Sequence, residues 1–378
     1  MGQLSIPAVF MRGGTSKGLF FKINDLPISK EKRANIFLNA MGSPDSYGRQ
    51  LNGMGGGVSS VSKAVIVNKS NRNDADLDYT FAQIAINKPI VDYSTTCGNL
   101  SAAVGPFAID TGILKPNKSP VKIRIFNTNL KQIFHAYIPT NNGKFEPQGN
   151  YSIPGVTGTG SKIRLDYLMP GGSTTGKLLP TGCIIEKLNV PGEGCFEVSM
   201  VDASAASVFI DSSKFSLTNS ESVIEVQSNK ALMTTLEKIR RMASVAMGLS
   251  STPENAALGT PKICLVSKPI KFNTLSGSQI NKSQTNLIAR YISIGQVHLA
   301  LPITGAMCLA AASCISGSIC HRVASNLKDN INLGNPSGII PVRASVTFKA
   351  NKWHAETITV YRTARALMRG EILIPKEV

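Results

Sequence analysis

Short runs of apolar residues, bounded by glycine, proline and small polar residues, recur along most of this chain and predict strands. They fall at 6–11, 18–22, 64–68, 78–84, 121–126, 133–137, 162–167, 183–188, 196–201, 208–210, 263–267, 287–293, 342–349 and 356–362. Helical spacing replaces this pattern over 30–41 and, most clearly, over 231–246. There Leu232, Leu236, Ile239, Met242 and Ala243 share one face. The segments 12–17 and 53–57 read as glycine loops, and the run Gly42, Ser43, Pro44, Asp45 stops the first helix.

Two further segments, 98–110 and 304–316, are rich in small residues and apolar nearly all round. That composition suits a helix enclosed on every side, as by a curved sheet. One lies in each half of the chain. The expected fold is therefore α+β: two pseudo-symmetric domains, each a curved, barrel-like mixed sheet around a central helix, with a cleft where the two helix N-termini converge. No repeat is visible in the sequence itself. The polar, glycine-rich stretch 142–180 predicts loops and hairpins before a boundary near Asn189. The domains are expected at 1–188 and 189–378, with the C-terminal strand free to return to the first.

Composition narrows the class. A formal charge of +17 draws anions in general, nucleic acid among them. Yet the basic residues are dispersed, and no finger, RNP-like motif or aromatic-interleaved basic stripe is present. A small di- or tricarboxylate satisfies the charge as well. The seven cysteines have irregular spacing and no CxxC, which reads as reduced, cytoplasmic usage rather than a disulfide framework. The four histidines do not pair at metal-ligand spacing, so no metal is expected. Neither a secretory signal nor an apolar run of membrane length is found. GMGGG lacks the frame of a dinucleotide site, and no P-loop occurs.

The richest chemistry lies at 93–105, YSTTCGNLSAAVG. Cys97, Gly98 and Asn99 precede a helix whose N-terminus presents unpaired N–H groups and partial positive charge. Ser94, Thr95 and Thr96 offer capping oxygens. A thiol there can be reactive and can sit beside an anion. The competing reading is a buried structural cysteine, the usual fate of a free one.

Beyond these local signals, IPAVFMRGGTSKGLFF (6–21), GSPDSYGRQLNGMGGGVSSVSKAVIV (42–67), CGNLSAAVGPFAI (97–109), PTG (180–182) and the tail at 362–375 together resemble the PrpF-type family. It contains 2-methylaconitate cis-trans isomerase and has the diaminopimelate epimerase-like fold. The resemblance spans nearly the whole chain. It implies cofactor-independent movement of a double bond, or tautomerisation, in a small unsaturated polycarboxylate, with a place in propionate metabolism. Methylaconitate isomerase, methylitaconate delta-isomerase and oxalomesaconate tautomerase are the variants. It implies a functional lysine at Lys63 and cysteine at Cys97. It also implies carboxylate-binding loops from Arg12 through Thr15 to Ser16, from Gly55 through Gly56, Gly57 and Ser59 to Ser60, and around Thr304 and Gly305. A homodimer is an open option. Two departures stand out. Asn335 replaces a common histidine. The segment at 301–305 lacks the second thiol of diaminopimelate epimerases, with Cys308 inside the helix instead.

Moving a double bond beside a carboxylate requires a base for a weakly acidic C–H and fixed positive charge or N–H donors for the resulting enolate. Lys63 in a dry site can be base or acid, or simply a cation for a carboxylate. Cys97 is the other candidate, and which of the two takes the proton is not readable from sequence. Arg12 can fork a carboxylate or form a loop salt bridge. Thr15, Ser16, Ser59 and Ser60 can bind substrate or cap turns. Asn99 can face the reacting carbon or tie its own turn. Lys17 reads as a structural or solvent-facing cation, Arg362 and Arg365 as structural or surface charges, and Asp45 and Tyr47 as turn builders. His298 reads as a hydrogen-bonded core residue before an acid or base. Against the isomerase stands a basic nucleic-acid- or anion-binding protein that has lost catalysis.

Overall fold

A computed structural model describes residues 2–376 and divides into two compact units, Met1–Asp166 with Tyr361–Val378, and Tyr167–Val360. The division falls between Asp166 and Tyr167, earlier than the boundary expected near Asn189. The polar stretch that prompted that expectation is mostly turns around the short strand Lys144–Phe145 and the strand Ile163–Leu168. Among the described residues no helix is long and apolar enough to cross a membrane.

In the first unit, Gln3–Gly13 and Ser16–Lys22 form an antiparallel hairpin in which Val9 faces Phe20. Ser16–Lys22 then runs parallel to Lys63–Lys69, which pairs antiparallel with Leu77–Ile84. Leu77–Ile84 runs parallel to Val121–Asn127, and Gln132–Ile138 follows antiparallel. The C-terminal strand Ala364–Pro375 lies against Gln3–Gly13.

Helices cover both faces of the inner strands Ser16–Lys22 and Lys63–Lys69, which are mostly apolar, while Val121–Asn127 and Gln132–Ile138 alternate buried and part-exposed residues. Leu19, Phe21, Ala64, Ile66, Ala82 and Ile84 point one way. They meet Ile36, Phe37, Ala40 and Met41 of the helix Lys30–Met41. Gly42, in the left-handed region at φ 71°, ends that helix. The alternate residues point to the helix Ser101–Asp110, where the rings of Phe20 and Phe107 lie 5.6 Å apart. Ser101 through Ile109 are all buried, as the composition required. The helix runs so close to its sheet that a Cβ at position 105 would lie 2.7 Å from Ile138 Cγ1, which only glycine avoids.

The second unit repeats this order. The hairpin of Gly194–Asp202 and Ala206–Asp211 is followed by parallel Lys262–Ser267 and antiparallel Leu287–Ser293. Parallel Ile331–Asn335 and antiparallel Gly338–Lys349 complete the series. The amphipathic helix Lys230–Ala246 packs Leu236 and Ile239 on Val208, Ile210, Ile263 and Leu265. On the other face lies the buried helix Ile303–Cys314. The duplication thus lies in strand order and helix placement. Ile331–Asn335 is a strand the sequence pattern did not reveal. Asn335 is fully buried and closes the turn after it, donating to the Gly338 carbonyl at 2.8 Å and accepting from Ser337 N at 3.1 Å.

Candidate active site

Lys63 opens a strand, and by alternation its side chain shares a face with Val65 and Val67, the face turned to the helix Ser101–Asp110. The residue is 7% exposed. Its ammonium donates to Gln83 Oε1, directly opposite in the antiparallel register, and lies 5.1 Å from the centre of the Phe81 ring. Burial pushes Lys63 below the ordinary lysine range, against a smaller opposing pull from Cys97.

Gln83 is the functional-site residue the sequence did not reveal. Its Nε2 donates to the carbonyls of Ser62 at 2.9 Å and Ser59 at 3.2 Å. One amide thus clamps the turn before Lys63 and accepts from Lys63 itself. Its signal was only its position opposite Lys63, which requires the register.

Cys97 is 9% exposed. Its Sγ lies 3.8 Å from Ser16 Oγ and accepts from the Leu100 N–H at 3.5 Å. The Cys97 carbonyl takes the Ser101 N–H at 3.0 Å and the Ser101 hydroxyl at 3.0 Å. Thus the thiol faces the opening turn of the helix. The expected capping oxygens do other work. The helix N-cap is Leu100, without a side-chain cap, and Thr96 Oγ1 instead accepts from Asn127 Nδ2 at 2.5 Å. Ser94 N donates to Asp92 at 2.7 Å. The chain between Thr96 and Ser101 makes a further turn, which carries these oxygens away from the helix start.

The expected loop at 12–17 is a hairpin with only Gly14 and Thr15 in its turn, because Gly13 pairs with Ser16. Gly14 has φ +51°, and a Cβ there would lie 2.3 Å from Asn99 Oδ1. The missing side chain lets the hairpin tip lie on the Cys97–Asn99 turn. Asn99 Nδ2 donates to Thr15 Oγ1 at 3.0 Å across that contact, whereas Asn99 Oδ1 is buried without a partner. Arg12 is tied to the hairpin, donating to the carbonyls of Gly14 at 2.9 Å and Thr363 at 3.1 Å. Burial, then repulsion from Arg365, lowers its pKa. No carboxylate pairs with it among the described residues, so the loop salt bridge is not formed.

The segment before Lys63 is built on two side chains. Asp45 accepts the N–H groups of Tyr47, Arg49 and Gln50 at 2.9, 2.9 and 2.5 Å, and those backbone bonds hold its carboxyl below the usual range. Gln50, buried, donates to Ser43 Oγ at 2.8 Å and accepts from Gly57 N at 3.0 Å and from the Ser62 hydroxyl. Gly57 (φ +69°) is thereby fixed, while Gly56 and Ser59 are exposed and Ser60 is half-buried. Gly98 is buried beside Cys97. Lys17 Nζ lies 5.8 Å from the Phe10 ring, Arg362 is buried and Arg365 exposed. The first unit thus brings Lys63, Cys97, Ser16, Thr15 and Asn99 to one end of its central helix.

Thr304 and Gly305 belong to the second unit. Gly305 is buried against Tyr291, whose hydroxyl donates to its carbonyl at 2.7 Å. Cys308 is fully buried, and burial pushes its thiol up to about 12, so it stays protonated.

The fold and these motifs have counterparts among known proteins. A hydroxyproline epimerase from Agrobacterium vitis superposes with a TM-score of 0.53 at 9% identity, over 98% of this chain and 92% of that one. The architecture is accordingly that of the diaminopimelate epimerase-like proteins. A methylitaconate-delta-isomerase structure superposes with a TM-score of 0.90 at 35% identity, over 100% of this chain and 97% of the other. A 2-methyl-aconitate isomerase of Shewanella oneidensis is 34% identical over 99% of this chain and 98% of its own length. The family model described as PrpF protein matches residues 3–375, and the chain belongs to the PrpF family. It is an isomerase of that family.

Proposed function

We propose that this isomerase moves a double bond in a small unsaturated tricarboxylate by proton transfer, acting most directly on 2-methylaconitate. The observation that carries this reading is the buried Lys63 ammonium, held by Gln83 on the face turned to the helix whose opening turn the Cys97 thiol faces. A lysine pushed below its ordinary range exchanges protons more readily near neutral pH. Lys63 and Cys97 are the pair that removes and returns the allylic proton. Ser16, against the thiol, and the hairpin tip at Thr15 orient the substrate. Asn99 Oδ1, without a partner among the described residues, is a free acceptor beside the hairpin tip. Arg12 keeps donors beyond the nitrogen bound to Gly14 and Thr363, and these face a substrate carboxylate. Gly56, Gly57, Ser59, Ser60 and Gly98 shape the wall, and Thr304 with Gly305 is a further binding segment.

Similarity to the methylitaconate-delta-isomerase structure favours a second reading, the same proton transfer on a dicarboxylate. Proton exchange in D₂O, followed by NMR over 2-methylaconitates, aconitates, methylitaconate, itaconate and oxalomesaconate, separates them. Deuterium entering the allylic position of one acid, and not with Lys63→Ala or Cys97→Ser, is the expected result. Exchange of none of them by folded protein removes the assignment.

A further inference from the structure

Superimposing the strand orders of the two units makes Lys262 the counterpart of Lys63. Each lysine opens the strand that runs parallel to the second strand of the hairpin. Each has the parity that turns it toward the buried helix of its own unit, since the alternate residues, Ala64 and Ile66 or Ile263 and Leu265, pack on the outer helix. Lys63 faces Gln83 across its antiparallel pair. Lys262 lies one place beyond the Ile263–Ile292 pair, where Ser293 is the matching residue.

The surroundings of the two differ in a telling way. Lys63 has an amide acceptor and a thiol. Among the described residues Lys262 Nζ donates to the Gly259 carbonyl, at 3.5 Å, and burial lowers its pKa against an opposing pull from Cys308. Next to it, Ser293 Oγ and His298 Nε2 lie 2.6 Å apart. Burial and the Lys262 charge push His298 down to about 4, so the ring is neutral at physiological pH. Cys308 stays protonated. Lys262 is half-buried, and Ser293, neutral His298 and protonated Cys308 supply no negative charge, so an anion beside its ammonium is favoured.

We infer that Lys262, Ser293 and His298 form a carboxylate-binding site in the second unit. One positive charge flanked by a hydroxyl and a neutral imidazole matches a single carboxylate, and a phosphate dianion would leave charge uncompensated. Lys262 is the binding cation, and Ser293, held by His298, is the orienting hydroxyl. The site stands on the second unit alone and holds whether or not the first unit acts on methylaconitate.

The test uses the full chain with ¹⁵N-labelled lysine and tricarballylate, a saturated tricarboxylate that cannot isomerise. The Lys262 Nζ resonance, assigned by its loss in Lys262→Arg, moves on titration and does so equally in Lys63→Ala. By calorimetry Lys262→Gln weakens tricarballylate binding at this site about ten- to a hundredfold, the range for a hydrogen bond to a charged group. A Lys262 signal unmoved at saturating tricarballylate overturns the proposal, and that readout survives even if Lys262→Gln does not fold. Unchanged affinity in folded Lys262→Gln overturns it equally.

Discussion

Lys63 and Gln83 stand directly opposite each other in an antiparallel pair, and the lysine ammonium donates to the glutamine side-chain oxygen. The amide accepts this bond without supplying negative charge, so burial continues to hold the lysine below its ordinary range. Gln83→Glu would place a carboxylate at the same spot and stabilise the ammonium. The expected outcome is a fall in kcat of about 10²-fold, the scale of one acid–base contribution, with the lower limb of the pH–rate profile displaced to higher pH. Unchanged pH–rate limbs would show that Lys63 is not the titrating group.

Removing the lysine should separate activity from stability. In the native state Lys63 binds a proton less readily than in the unfolded chain. The stability it contributes is complete above the unfolded value, and is lost as pH falls through the lower native value. At neutral pH the charge is therefore a net cost. Lys63→Met should abolish isomerisation, by about 10³-fold or more, yet raise Tm at pH 7. The gain should shrink toward pH 10. Melting curves at both pH values check this.

Cys97→Ser keeps a hydrogen-bonding group where the thiol accepts from Leu100 and contacts Ser16. The variant should fold, with near-unchanged Tm, and lose activity by about 10²- to 10⁴-fold if the thiol transfers the proton. Activity within a few-fold of wild type would leave Lys63 as the sole proton carrier.

Gly14→Ala tests the seat of the hairpin on the Cys97–Asn99 turn. The new Cβ meets Asn99 Oδ1 at 2.3 Å, and φ +51° is already unfavourable for alanine. A loss of about 1–3 kcal/mol is expected, because Gly14 is buried and its backbone is already in the left-handed region. Activity should fall further than stability explains, since Asn99 must move. Denaturant melts beside kcat/KM measure both.

In the second unit, His298 is held neutral down to about 4. Its unfolded form protonates near 6.5, so stability is intact above that pH and declines as pH falls through about 4. The full decline, from 6.5 to about 4, is on the order of 3 kcal/mol. His298→Gln should flatten this part of the acid-denaturation curve.

Most of the elements were legible because strands buried on one or both faces leave short apolar or alternating runs with polar ends. The central helices were legible because they are enclosed on every side, which leaves them small or apolar at nearly every position. The hairpin at Gly14 was read as a longer loop, since Arg12, Ser16 and Lys17 look polar although Ser16 is buried and paired. Gln83 and Lys262 were invisible for a different reason. Each matters through the strand beside it, and no local pattern encodes a register. Leu100 took the cap position expected of Ser94–Thr96 because the extra turn after Cys97 uses the intervening residues.

The enclosed helix Ser101–Asp110 has a consequence for how the enzyme fails. With Ser101 through Ile109 shielded, its amides should be among the last in the first unit to exchange with solvent deuterium. Cys97 rides on the leading end of that segment through the Ser101 bonds. The thiol is therefore anchored to a part of the molecule that does not fray. Heat inactivation and collapse of the first unit should then be a single event, with no window in which the protein is folded and idle.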